Sequence, residues 1–448
     1  MVSMADIHPF RAFRCDPQQI SPALVATQPY DKITPAMQER YYAASPYNLV
    51  RIILGRHEPN DNPENNVYRR AAASFRDWRR QGILRQDSRP SIYAYSQRFR
   101  LPGSNQELDR RGFIALGRIE DYSAGVVFRH EQTLAKPKAD RLDLLRATHA
   151  HFGQIFMLYE DSGQVESLLA TPAEPDIAIT DEYGVLHRVW QISDLRLIDA
   201  VRAAMVDKKL IIADGHHRYE TALNYRNERR EGERRENDGR EKALPAATPT
   251  TSPSEFVMMT FVNLNSPALV ILPTHRVVHS LPSFNDEAFR ESARKFFDVE
   301  EVDSSLDAPH ATAMLHQCGR AGAALLAVTP NRAFLLHHPD PSADHLFTGL
   351  SMRQQSLDVV QLHKILLENV LGLTEESIRN QQNISYVRDA AEALAQLENS
   401  PRASIVFLMN PCRIQQVRDI AFANEVMPQK STDFYPKLLS GLTVYALD

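Results

Sequence analysis

The sequence predicts a mixed α/β protein of two domains, and three observations carry that expectation. Its 448 residues, 43% hydrophobic and 24% charged, have ordinary globular composition and a length beyond the ~100–200 residues of one common domain. Short alternating or continuous apolar runs, which read as strands, are interleaved with segments whose apolar residues recur at helical spacing. The interleaving starts afresh at Pro282, so residues 1–281 read as an N-terminal α/β domain and 282–448 as a smaller second one.

In the first domain, Val67–Gln81 places Val67, Ala71, Phe75 and Trp78 on one helical face, and Gly82 closes the helix. The run SIYAYSQRF (91–99) alternates in twos and reads as a strand, as do GFIALGRI (112–119) and AGVVF (124–128). Helical spacing returns over Asp140–His151 and gives way to strand-like QIFMLYE (154–160). Arg226–Glu255 is first saturated with charge and then rich in Pro, Thr and Ser, the pattern of a solvated helix extension running into a disordered insertion, placed at 227–254. Its arginines alternate with glutamates that nearly cancel them, which argues against a grip on RNA or acidic lipid.

The second domain reads as a helix over Asp286–Phe297, strands AALLAVTP (323–330) and RAFLLHH (332–338), a long helix over Leu357–Val370, and strand SIVFLMN (404–410). It ends in MPQKSTDFYPKLLSGL (427–442), polar and aromatic at once, a combination expected to return to a site.

Several classes are excluded early. Cys15, Cys318 and Cys412 are far apart and form no Cys-x-x-Cys pair, so neither a disulfide framework nor a thiolate zinc site is indicated. The first residues lack the apolar core of a leader, and no run approaches the ~18 apolar residues that span a bilayer. A cytoplasmic protein with no membrane partner is the expectation. A formal charge of -5 gives no net pull on nucleic acid, and no nucleic-acid partner is expected. The dinucleotide fingerprint, the Walker loop and an Asp-x-Asp pair are missing, and His130-Glu131 meets Leu134 where a zinc-protease helix needs its second histidine.

Chemistry concentrates in LIIADGHHRYETALNY (210–225). Leu210–Ile212 should be a buried strand, with Asp214 as N-cap of a helix whose first turn is Gly215, His216 and His217. Unpaired N–H groups and the positive end of the helix dipole there favour an anion, Gly215 permits close approach, and Arg218 adds a fork of donors suited to phosphate. The competing reading is a capped helix with one buried histidine. Thr274, His275 and Arg276 follow the run LVILP and should emerge at a strand end, although a satisfied core histidine fits nearly as well. Lys430, Ser431, Thr432 and Lys437 could close over phosphate or be merely solvated. Tyr30 and Asp31 can be a turn and no more, and His363 reads as structural.

The stretch 210–225 resembles the hallmark of the prokaryotic family called domain of unknown function 1015. The likeness extends through QPYDKI (28–33), SPYNLVRIILG (45–55), RHEQTLAKPKADR (129–141), LPTHR (272–276), LDVVQLH (357–363) and MPQKSTDFYPKL (427–438). Gln28 stands where that family usually has a second proline. More distantly, Asp214–Arg218 resembles the phosphate-binding box of the ParB and sulfiredoxin superfamily, most closely its free-serine kinases. The resemblance implies a ParB/sulfiredoxin-like phosphate-binding core in the N-terminal part. His216 occupies the place of the sulfiredoxin cysteine, which removes sulfinic-acid chemistry.

The same resemblance implies a nucleotide-dependent phosphotransferase acting on serine or O-phosphoserine, with Mg2+ and ADP or ATP. Gly215–Arg218 would hold the phosphates and Glu131 would be the base. His130, Lys138 and Arg141, in the polar stretch around Glu131, would be substrate or phosphate contacts. A phosphoserine phosphatase that uses His216 or His217 without a nucleotide is the second reading. A non-catalytic nucleotide or phosphometabolite sensor is the third. Metal ligands and oligomeric state are not readable from the sequence.

Overall fold

The computed structural model describes residues 5–132, 135–170, 173–238, 252–400 and 402–448, with backbone alone for 135–138, 236–238 and 341–342. The protein is mixed α/β and divides into two compact units. The first comprises residues up to Phe128, Thr133–Leu269 and Pro436–Asp448, and the second Arg129–Gln132 with Val270–Tyr435. The main boundary falls at 269/270 rather than at 281/282, because Val270–Leu272 pairs with Asp433–Tyr435 and His275–His279 lies inside the second unit's sheet.

The first unit is built on a nine-stranded sheet. Eight strands run in the order Val127–Phe128, Leu210–Asp214, Ile155–Tyr159, Phe256–Asn263, Glu107–Arg118, Ile92–Arg100, Leu186–Ile192 and Ile177–Thr180, and Ile7–His8 pairs with the far end of Glu107–Arg118. Leu210–Asp214 is parallel to Val127–Phe128 and antiparallel to Ile155–Tyr159. It carries four buried residues in succession, as expected of a strand covered on both faces. The predicted helix is present at Val67–Arg80 with Val67, Ala71, Phe75 and Trp78 buried, each large side chain contributing about 1.5–3 kcal/mol. Gly82, at φ 76°, follows it in a conformation that costs a glycine little.

Over the expected insertion, Arg226–Asp238 continues the helix that starts at His216, and residues 239–251 lie outside the described residues. Glutamates and arginines at helical spacing support such an extension. Among the described residues, no helix is long and apolar enough to cross a membrane.

The second unit holds a six-stranded sheet in the order Asp298–Val302, Ala333–His337, Ala324–Val328, Ala403–Met409, His275–His279 and Ile384–Val387, antiparallel throughout. The helix expected over 357–370 is α-helical only at Asp358–Gln361 and continues as a π-helix over Leu362–Val370. His363 within it is buried, and burial pushes its imidazole well below the ordinary histidine range.

Candidate functional site

In the first unit, the strand ending at Asp214 turns at Gly215, whose φ of 93° suits glycine, into the helix beginning at His216. The register slips between Ile212 and Asp214, a bulge that re-aims the side chain at the strand end. Tyr219 seats the helix: its hydroxyl donates to Glu120 O (2.6 Å) and accepts the Glu120 N–H (2.9 Å), and its ring packs on Tyr122. Farther along, Arg226 is buried and donates to Asp121 (2.9 Å).

Asp214 departs from the expected capping role. The first helical bond returns to Gly215, Tyr219 N–H to Gly215 O at 2.9 Å, so Gly215 stands in the capping position. The Asp214 carboxylate instead accepts from Arg218 and from Lys437 Nζ (2.7 Å). Burial would raise its pKa, but Lys437 and Arg218, with Lys32 farther off, hold it well below the usual carboxylate range. Asp214 is thus a fixed anion that orders two cations.

Arg218 folds back over the turn, and a Cβ on Gly215 would lie 2.9 Å from its Nε. It also donates to Gln154 O and passes over Gly153, where a Cβ would meet Nη1 at 3.2 Å. Both glycines give the guanidinium its room. Lys437 is positioned from two neighbouring strands: Gln97 Nε2 donates to Lys437 O (2.8 Å), and buried Arg110 donates to Pro436 O. Burial lowers the Arg110 guanidinium to about 10, with Tyr95 and Asp214 opposing, so it keeps its charge.

Beside this turn lies a cavity of about 70 Å³ lined by Tyr30, Arg141, Gly153, Arg218, Thr221 and Ser440, with His151 and apolar neighbours completing it. At roughly 10–15 Å³ per water it holds several waters or one phosphate-sized group. The Arg141 guanidinium stacks over the Tyr30 ring at 4.2 Å, and the Thr221 hydroxyl is buried without a hydrogen-bond partner. Arg141, which also donates to Asp140 (2.8 Å), and Arg218, which pairs with Asp214, thus border one small space together with this unsatisfied hydroxyl. Gly153, Thr221 and Ser440 were not singled out by the sequence, and Tyr30 reads there as a turn and no more. The signal available was that Tyr30 belongs to QPYDKI, one of the motifs carrying the family resemblance.

His216 is buried and His217 half-buried. Thr133 lies outside the described residues, as does the side chain of Lys138.

The remaining expected residues gather in the second unit. Residues 129–132 run beside Met427, whose N–H donates to His130 O at 2.8 Å. Glu131 accepts the Lys430 backbone N–H and the Thr432 hydroxyl (3.4 Å). His130, fully buried, shares a 2.8 Å hydrogen bond with the Thr432 hydroxyl. Lys430 has the left-handed φ of 58°, and its carbonyl accepts from buried Arg276 at 3.2 Å. Ser431 donates to Pro428 O within the same turn.

His275 is a core residue of the second unit's sheet. It is buried, its Nδ1 accepts the Met409 N–H (3.2 Å), and burial beside Arg276 lowers it to about 4. Arg276 lies under Tyr386, and burial brings its guanidinium to about 10. Thr274 serves it through its carbonyl. The tail therefore divides: Lys430, Ser431 and Thr432 belong with the second unit and Lys437 with the first.

The chain belongs to the family described as Protein of unknown function (DUF1015), which matches residues 7–381. No curated protein matches it. Among solved structures, it is similar to a conserved hypothetical protein from Pyrococcus furiosus (10% identity, 69% of this chain and 86% of that one, TM-score 0.34). It is similar also to a free serine kinase in complex with AMP (13% identity, 70% and 88%, TM-score 0.34) and to SbnI with C-terminal truncation from Staphylococcus aureus (9%, 74% and 87%, TM-score 0.32). Likeness at this level is too slight to bear on the reaction.

Proposed function

We propose that the protein is a nucleotide-dependent phosphotransferase acting on serine or O-phosphoserine. The observation that carries the reading is the cavity beside the Asp214–Arg218 turn, where Arg141 and Arg218 face one phosphate-sized space with Thr221 unsatisfied. Phosphoryl transfer depends chiefly on positioning and on neutralising phosphate charge, and a guanidinium pair held in place by Asp214 on one side and by Asp140 and Tyr30 on the other suits the first need. The choice of serine rests on the resemblance of Asp214–Arg218 to the phosphate box of the serine kinases.

The donors fit a nucleotide's phosphates. Mg2+ would travel with those phosphates and neutralise their charge. Glu131 belongs to the second unit, and the part of base that the resemblance implies for it is a separate proposal. The test is serine release from O-phospho-L-serine by the full chain with Mg2+, with and without ADP, beside Arg218→Ala. Release that requires ADP, yields ATP and is lost in the variant supports the reading. ADP-independent release makes the protein a phosphatase, and no release removes the serine assignment.

A further inference from the structure

We propose that Asp298, His337 and His338 form a binding site for a divalent transition metal of the zinc type. The site lies in the second unit, at the edge of its six-stranded sheet. Asp298 opens the edge strand Asp298–Val302 and sits directly opposite His337, the last residue of Ala333–His337. His338 follows in the left-handed conformation, φ 46°, which turns its ring back against His337, centroids 4.5 Å apart.

Three ligand atoms converge as a result. His337 Nδ1 lies 3.0 Å from His338 Nδ1, and His338 Nδ1 lies 3.2 Å from Asp298 Oδ2. Ligands at the usual 2.0–2.1 Å from tetrahedral zinc are separated by about 3.3 Å, so both spacings match the edges of that polyhedron. His338 Nδ1 faces both His337 Nδ1 and Asp298, so one hydrogen on it can serve only one of the two, whereas a metal ion can engage all three atoms.

The outer partner points the same way. His337 Nε2 faces Glu300 Oε1 at 3.1 Å, and Glu300 is two residues beyond Asp298, hence on the same face of the strand. With Nε2–H donated to Glu300, Nδ1 of His337 presents its lone pair to the ligand cluster. This carboxylate–histidine–metal relay fixes the tautomer and raises ligand basicity. Two imidazoles and one carboxylate favour Zn2+, Ni2+ or Cu2+ over Mg2+ or Ca2+, which prefer all-oxygen ligands. Exposed Asp298 and His338 leave a face open to water as the fourth ligand. A metal here would clip the end of the edge strand to its neighbour.

The experiment is calorimetric titration of tag-free, metal-stripped full-length protein with ZnCl2, together with melting curves with and without Zn2+. Variants are His338→Ala, Asp298→Asn and Glu300→Gln, all at exposed positions, so their metal-free melting should match the parent. The expected result is one Zn2+ per chain and a zinc-dependent rise in Tm. Both should be lost in His338→Ala and Asp298→Asn, and affinity should weaken about ten-fold or more in Glu300→Gln. Absence of binding by the parent overturns the proposal, as does binding of equal strength and stoichiometry in His338→Ala and Asp298→Asn.

Discussion

Lys437 Nζ lies 2.7 Å from Asp214 Oδ1, an ion pair that joins residues 223 positions apart and brings the C-terminal segment onto the turn that starts the His216 helix. Because Gln97 and Arg110 fasten the flanking carbonyls, the lysine is held there by its backbone as well as by its charge. Removing it leaves a largely covered carboxylate with Arg218 beside it and Lys32 farther off. Lys437→Met should therefore destabilise the protein by about 3 kcal/mol in denaturant unfolding, and Lys437→Arg should recover most of the loss. A Met variant as stable as the parent would show the pair to be incidental.

Asp214 also sets an acid limit. Its folded pKa is depressed, whereas the unfolded carboxyl titrates near ~3.9. Above that pH both states are charged and the contribution is complete. Below it the unfolded chain takes up a proton that the folded chain refuses, and stability falls. Denaturation midpoints followed from pH 5 to pH 3 should drop more steeply in the parent than in Asp214→Asn; parallel slopes would contradict the assignment.

His275 acts at higher pH. It is neutral in the fold, with a pKa lowered to about 4, and its unfolded value is near ~6.5. Stability is complete above the unfolded value and is lost as pH falls toward the folded one, by at most about 1.4 kcal/mol per pH unit. In His275→Asn the side-chain oxygen can still accept the Met409 N–H without titrating, so that component of the slope should vanish. An unchanged profile would mean that this histidine takes up its proton in the fold as readily as in the unfolded chain.

Gly215→Ala places a Cβ at φ 93° and 2.9 Å from Arg218 Nε. The strain should cost about 1–3 kcal/mol, and displacement of Arg218 should weaken ADP binding in a direct titration. Gly153→Ala, with a contact of 3.2 Å, should have the smaller effect on stability while still weakening ADP. Unaltered ADP affinity in both would separate Arg218 from the nucleotide.

Glu131→Gln keeps one oxygen to accept the Lys430 N–H and should preserve the local fold. If Glu131 is the base, serine release should fall by roughly 100-fold or more with ligand binding retained. A rate within a few-fold of the parent would leave Glu131 only its role in ordering the turn around Lys430.

Local periodicity determined much by itself. The Val67–Arg80 helix, the buried Leu210–Asp214 strand and the glycine turn into the His216 helix were readable, because apolar spacing and a residue that tolerates positive φ are local properties. The partners of Asp214 were not. A carboxylate before a helix reads as a cap, and only packing brought Arg218 and Lys437 close enough to take both its oxygens. The burial of His275, the stacking of Arg141 on Tyr30 and the division of one tail between two units likewise came from the fold. Each depends on which distant surfaces meet. Spacing along a chain shows which face of an element is buried but not what it is buried against.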